Sequence, residues 1–489
     1  MKNRYYPYTT LIILLIGVLL TGMGCRKFVQ VDTPPNKITQ ANVFSTDKTA
    51  TSVLTGILVD VQGFGPDMAE YAGLLSDEWK LWDGADYKRK SFYTNNAEST
   101  NDLDKNTGKL IWNAYYNLIF KCNSAIVGIK DNTQLSPFVQ KQLLGEAYFI
   151  RAWLYFYLVN LWGDLPLALT TDPEVNRLLP RSAVSEVYNV ITNDLLQAQE
   201  LLADNYVDGR LTPYSPGGEQ RVRPNKWVTS ALLSRVYLYT GQLAKVEAEA
   251  EKIIANTTLF ALKPLSEIFK KNNQEVIWQL QPVNTGYNTL EARRFNLSAS
   301  PAGLSTSKQV HLSQFILNAF ETGDQRRIIW VDSLIEGSNI YYYPAKMKIA
   351  EFDPSIKSPG AMNEYSMMLR LSEQYLIRAE ARAKQGHLPE AIEDVDKIRE
   401  RAGLPLIADT NPGISQEDLL NAILHERQTE LFTEWGHRWF DIKRLGKADE
   451  IMSVVTPVKG GSWQTTDQLL PIPWDELMYN PNLTQTPGY

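Results

Sequence analysis

The sequence predicts a mainly α protein: a scaffold of helical hairpins carrying long inserted loops and a few short strands. Three observations predict it. Residues 371–403 read as two amphipathic helices joined at a glycine, and residues 225–256 repeat that layout. Residues 142–161, QLLGEAYFIRAWLYFYLVNL, are apolar nearly all round, as a helix at the centre of such a scaffold must be. Residues 76–109 and 260–369, by contrast, lack helical periodicity.

Each element has its own warrant. Leu371, Tyr375, Ala379 and Ala383 recur every four residues and so share one helix face. Gly386 can take the left-handed conformation that closes that helix, and Pro389 suits the first turn of the next. Ala391, Val395, Ile398 and Ala402 form the second apolar face, and small Ala379 and Ala391 permit close approach. This is a hairpin of tetratricopeptide length, roughly 34 residues. One hairpin cannot bury its own face, so others are required. Gly241 aligned on Gly386 brings Ser234, Tyr237, Ala250 and Ile253 to matching positions.

Along the chain, residues 46–61 place Ala50, Val53, Leu54, Ile57, Leu58 and Val61 on one side of a helix, and a shorter helix covers 68–75. Residues 76–109 are rich in Asn, Asp, Thr and Gly yet carry Trp79, Trp82, Tyr87, Phe92 and Tyr93. Disordered segments are poor in aromatics, so this reads as an ordered functional loop. Helices follow over 110–129, with Cys122 as a small core residue, over 142–161, and over 182–202. Residues 275–280, EVIWQL, read as a strand. Helices return at 371 and continue over 416–445, and the tail 469–489 is proline-rich and irregular.

The formal net charge is -6 with no basic block, which argues against nucleic acid as a partner. Lys2 and Arg4 precede an unbroken apolar run over 11–20, too short to span a bilayer and suited to a signal peptide. Thr21, Gly22, Met23 and Gly24 then lead to Cys25, which resembles a bacterial lipoprotein site with Cys25 as the lipidated residue. An ordinary signal peptide with an incidental cysteine is the other reading. With only 2 cysteines, lipidation of Cys25 would leave Cys122 without a disulfide partner.

The C-terminal third adds a resemblance. ERQTELFTEWGHRWFDIKRLG (426–446) resembles the hallmark helix of the SusD/RagB family, and LLPIPWDELMYNPNLTQTPGY (469–489) its closing motif, with Thr486 where Asn is usual. RAWLYFYLVNLWGDLPL (151–167) is similar to the family's first tetratricopeptide-like helix and exit turn. The resemblance implies a lipoprotein held at the outer membrane and exposed at the cell surface. It would capture oligosaccharides, or in some members peptides, and pass them to a SusC-like TonB-dependent barrel, without cofactor or catalysis. On this reading residues 1–24 are the signal peptide and 25–489 a single domain. Within it, 25–259 holds hairpins and the aromatic loop, 260–369 is a loop-rich ligand region, and 370–489 carries the last hairpin and closing motif. A helical-repeat scaffold of the envelope is an alternative that explains the hairpins alone.

Sugar recognition needs flat apolar faces for the C–H faces of a pyranose, and polar groups for its hydroxyls. Trp79, Trp82, Tyr87 and Tyr93, with Arg89 among them, supply both, and Tyr287, Trp330 and Tyr342 form a second set in the other inserted region. The competing reading is that these rings pin long loops to the scaffold. Glu426, Glu430 and Glu434 lie four apart, near Arg427, His437, Arg438 and Asp441, and read as a structural ion network rather than a catalytic one. No HExxH pattern or phosphate-binding glycine loop is present, so neither a metal site nor a nucleotide site is expected.

Overall fold

Capping residues and apolar faces set the elements in order in a computed structural model that describes residues 43–489 apart from Leu103. The signal segment 1–24 and Cys25 lie outside the described residues. Helix α1 (Asp47–Gln62) starts where the Thr46 hydroxyl accepts the Thr49 amide at 3.2 Å. Helix α2 (Gly65–Leu75) follows, with Pro66 in its first turn, where no intrahelical donor is needed. Residues 76–109, Leu103 aside, contain more regular structure than their composition suggests: strand β1 (Trp79–Leu81) and helix α3 (Tyr87–Tyr93).

The scaffold is a run of antiparallel helices: α4 (Lys109–Ile129), α5 (Pro137–Trp162), α6 (Val184–Leu201), α7 (Lys226–Tyr239) and α8 (Leu243–Ile254). Each packs on the next. The inserted region 260–369 then intervenes with strand β2 (Val276–Leu280), helix α9 (Leu290–Phe295) and strands β3 (Val310–Leu312), β4 (Val331–Glu336), β5 (Asn339–Pro344) and β6 (Ser366–Arg370). Helices α10 (Leu371–Lys384), α11 (Leu388–Ala402), α12 (Gln416–Glu430), α13 (His437–Arg444) and α14 (Ala448–Val458) complete the run. Helix α8 packs directly on α10, so the helical stack continues across the insertion as though it were absent. Antiparallel pairing of β2 with β6, from Val276 opposite Arg370 to Leu280 opposite Ser366, clamps the insertion's two ends together.

Glycines close both hairpins in the left-handed region, Gly241 at φ 71° and Gly386 at φ 84°. Ala379, Ala383, Ala391, Val395, Ile398 and Ala402 are buried; Tyr375 is half-buried at the edge of its face. Helix α5 is buried on nearly every side and is the hub: Trp153 meets Trp278 of β2 edge-on at 5.1 Å and Trp435, beyond α12, at 5.3 Å. Cys122 is fully buried in α4, and desolvation pushes its thiol up to about 12, where it stays protonated. The tail departs from the irregular reading by a short helix α15 (Trp474–Tyr479).

Candidate ligand-binding platform

The two aromatic-rich regions meet at a two-stranded sheet. Strand β1 pairs antiparallel with β3, Trp79 opposite Leu312 and Leu81 opposite Val310. Just past β1, the Trp82 amide donates to the Gln309 carbonyl at 2.8 Å. The Gln309 side chain then holds the next turn: its Oε1 accepts the Asp86 amide at 3.0 Å, and its Nε2 donates to Asp86 Oδ2 at 3.1 Å. Asp86 caps α3 by accepting the Arg89 amide at 2.9 Å. Partial burial raises the Asp86 carboxyl, but the Arg89 amide and guanidinium outweigh that and hold it below the usual range.

Arg89 bridges Asp86 and Glu70, a buried residue of α2. Arg294 of α9 reaches the same Glu70 at 3.2 Å, and also Asp67. Both inserted regions are therefore tied to one carboxylate of the scaffold. Beside Arg294, the Arg293 guanidinium lies 4.0 Å from the centroid of the Tyr287 ring and makes no ion pair among the described residues. Phe352, 52% exposed, packs against Tyr287 with ring centroids 4.9 Å apart. These groups border a cleft of about 470 Å³ whose far wall includes Ser300, Lys308 and Glu351. Glu351 accepts the Ser300 amide at 2.6 Å, and Lys308 donates to the Pro301 carbonyl at 2.9 Å, so the wall is braced from within.

The expected site residues divide. Trp82 is half-buried with its ring against Gly84, where an added Cβ would stand 2.6 Å from the indole. Tyr287 is half-buried at the cleft. Tyr87 is 39% exposed, bonds through its hydroxyl to Glu98, and has the Lys105 ammonium 5.5 Å from its ring. Tyr93 is half-buried, with Lys459 over it at 5.3 Å. Arg89 is committed to its ion pairs. Tyr342 lies on the opposite face of the β4–β5 hairpin from Tyr341 and Tyr343, as alternation along a strand requires, with Arg327 4.8 Å from its ring centroid.

Two choices are corrected. Trp79 and Trp330 are each 1% exposed and present no ring face to a ligand. The Trp79 indole donates to the Ala69 carbonyl at 3.0 Å and packs on Phe295; that of Trp330 donates to the Leu265 carbonyl at 2.9 Å beside Phe269 and Phe432. They staple the loops, because an indole buried with its N–H satisfied fills more core volume than any other side chain can. Sequence reasoning missed Phe352, Arg293 and Gln309. Only Phe352 left a trace, through Gly286: its φ is 86° and an added Cβ would come within 2.2 Å of the Phe352 ring.

With this geometry in view, comparison with known proteins is decisive. Residues 331–489 match the family model described as "SusD family", and residues 76–238 match one described as "Starch-binding associating with outer membrane". The chain belongs to the SusD/RagB family. It is 27% identical to SusD-like protein P2 of Formosa agariphila, over 77% of this chain and 80% of that one. It is 24% identical to the starch-binding protein SusD of Bacteroides thetaiotaomicron, over 70% and 72%. A solved structure of a laminarin-binding SusD-like protein superposes with a TM-score of 0.72 at 22% identity, covering 90% of this chain and 99% of that one. The insertions thus sit on a SusD-like scaffold.

Proposed function

We propose that this SusD-like protein captures an oligosaccharide at the cleft bordered by Tyr287, Arg293 and Phe352, and delivers it to a SusC-like TonB-dependent barrel at the outer membrane. Trp82, which lies outside that cleft and is bonded through its amide to Gln309 next to the Lys308 wall, is a further ring of the platform. One observation carries the reading: the partly exposed rings of Tyr287 and Phe352, and Arg293, which has no ion pair among the described residues, border one cleft on loops braced against the scaffold. Rings supply faces for stacking, Arg293 supplies donors for hydroxyl or carboxylate oxygens, and the cleft's volume falls in the range of small-ligand sites. The family's starch-binding description and the laminarin-binding neighbour support a glycan as the ligand.

Anchorage would come from lipid on Cys25. No helix among the described residues is long and apolar enough to cross a membrane. Among those residues there is also no cluster of His, Cys, Asp and Glu that could hold a metal ion. Nothing in the platform requires turnover, and binding without catalysis is the reading we adopt.

The test is affinity electrophoresis and calorimetry of residues 26–489 against starch, laminarin and other polysaccharides. Trp82→Ala and Tyr287→Ala should each weaken binding of the retained glycan by roughly 1–3 kcal/mol, as for loss of a stacking anchor. Changes below about 0.5 kcal/mol in both would remove the platform from consideration. Cys25→Ala should shift the protein from the membrane fraction to the soluble one; membrane retention of that variant would exclude the lipid anchor.

A further inference from the structure

Away from the platform, a second cleft of about 550 Å³ runs between α4, the loop following α5, and α15. None of the platform residues lines it. Its floor is aromatic: the Trp112 and Tyr116 rings lie 4.7 Å apart, the Tyr116 hydroxyl donating to the Pro166 carbonyl at 2.8 Å. Its rims are exposed rings, Phe120 at 49% on α4 and Tyr479 at 79% on α15.

Amides fill the spaces between the rings. Asn113 and Asn117 are exposed on the same face of α4 as Tyr116 and Phe120, and neither side chain bonds to another described residue. Opposite them, the Asn176 side chain is fixed by its Nδ2, which donates to the Thr170 carbonyl at 2.8 Å. That leaves its Oδ1 buried with no donor among the described residues. A buried acceptor without a partner is uncommon in a folded protein and marks a place where a donor is wanted. Formal charge is sparse: Glu476 is bonded by Trp112, and Arg177 is paired with Glu174.

From ring faces interleaved with uncommitted amides, and little net charge, we infer that this cleft is a second saccharide-binding site taking a neutral oligosaccharide. A pyranose stacks its C–H face on Tyr479 or Phe120 and exchanges hydrogen bonds with Asn113 and Asn117, whose amides both donate and accept. The two charged groups of the lining, Glu476 and Arg177, each already have a partner, so a charged sugar gains little over a neutral one, and an apolar ligand would leave the amides unpaired. A glycan long enough to reach both clefts would gain from simultaneous contact, by effective concentration rather than by any new bond.

The test uses maltohexaose, laminarihexaose, cellohexaose and xylohexaose as probes, with calorimetry and saturation-transfer NMR on residues 26–489. The background is Trp82→Ala/Tyr287→Ala, which disables the platform. At least one probe should still bind, and adding Asn117→Ala and Tyr479→Ala, both solvent-exposed positions, should weaken it by about tenfold or more. A change below about twofold, or no binding of any probe at about 10 mM, overturns the inference. So does a result in which Asn117→Ala/Tyr479→Ala in the otherwise native protein leaves every probe's affinity intact but abolishes co-purification with a membrane transporter; the cleft would then be a protein interface. If Trp82→Ala/Tyr287→Ala alone changes nothing, the platform reading fails while this one stands.

Discussion

Arg370 should be among the most costly side chains to remove, because it neutralises the joint between the insertion and the helical stack. It is the last residue of β6 and is buried. Its Nε donates to Glu434 Oε2 at 2.9 Å, its Nη2 to Glu434 Oε1 at 3.0 Å and to the Glu430 carbonyl at 2.6 Å, and its Nη1 to the Glu430 carboxylate and Ser372. Arg370→Met keeps the length and apolar stem but removes the charge. Breaking a buried pair by removing one partner costs about 3–5 kcal/mol. Here Glu434 keeps Lys346 at 2.6 Å, and Glu430 keeps Arg401 and Arg326, so the lower end, about 3 kcal/mol, is expected. That is a large part of an ordinary folding stability. The assay is the urea midpoint at pH 7. Burial raises both carboxyls, but the surrounding cations outweigh it: Arg401, Arg370 and Arg326 around Glu430, and Arg370 and Lys346 around Glu434. Both are held below the ordinary value. A carboxylate depressed in the folded state contributes stability above its unfolded pKa, and that stability is lost as pH falls through the folded one. The variant, lacking Arg370, holds these carboxyls less far down, so its deficit shrinks only as pH falls through those folded values, below the ordinary carboxylate range. A deficit under about 1 kcal/mol at pH 7 would refute the role of Arg370 in neutralising this joint.

Other perturbations separate platform from core. Trp79→Ala, removing a buried indole, should cost about 3–5 kcal/mol in unfolding stability, whereas Trp82→Ala should cost under about 1 kcal/mol and act on binding; equal losses in urea melts would contradict that division. Gly84→Ala, at an exposed turn, should displace the Trp82 ring by the 2.6 Å clash of its Cβ and weaken glycan binding with little change in melting temperature; unaltered affinity would show that the ring's pose is immaterial. His437 is held neutral, well below its ordinary value, by burial and then by Arg235, Arg427, Arg370 and Lys346. The unfolded state therefore gains a proton that the folded state refuses as pH drops below about 6.5, costing up to about 1.4 kcal/mol per pH unit. His437→Asn should roughly halve the histidine-linked slope of the stability profile between pH 5 and 7, leaving a comparable part due to His311, which burial and Lys80 push down to about 4; an unchanged slope would deny His437 that role.

The scaffold was legible because its signals are local. Helical period, Gly241 and Gly386 at the turns, and Pro389 in a first turn each act within a few residues of where they are read. Strand β2 could be read from its own β-branched and aromatic run, but β6, with Met367 and Met368 in its middle, could not; it is a strand because Val276–Leu280 offers it partners across ninety residues of chain. Sorting the aromatics failed for the same reason. Trp79 and Trp82 are three positions apart in one polar loop, and only the carbonyl of Ala69, waiting for an indole N–H, decides that Trp79 turns inward. Gln309 looks like any loop glutamine until the turn at Trp82 and Asp86 folds over it.

Glu70 explains how two unrelated stretches can make one surface. A loop free to move would pay conformational entropy each time it closed on a ligand, and aromatic stacking is too weak to cover that cost at several positions. Glu70 is buried on α2, which packs on β1, α3 and α9. It accepts Arg89 from the first inserted region and Arg294 from the second, while Gln309 joins the backbones of the same two regions at the turn between β1 and α3. Neither link is available to either region alone. The rings that face solvent are therefore held before a ligand arrives, and the cost of ordering them falls on folding, where the buried charge pairs and the large helical core can offset it.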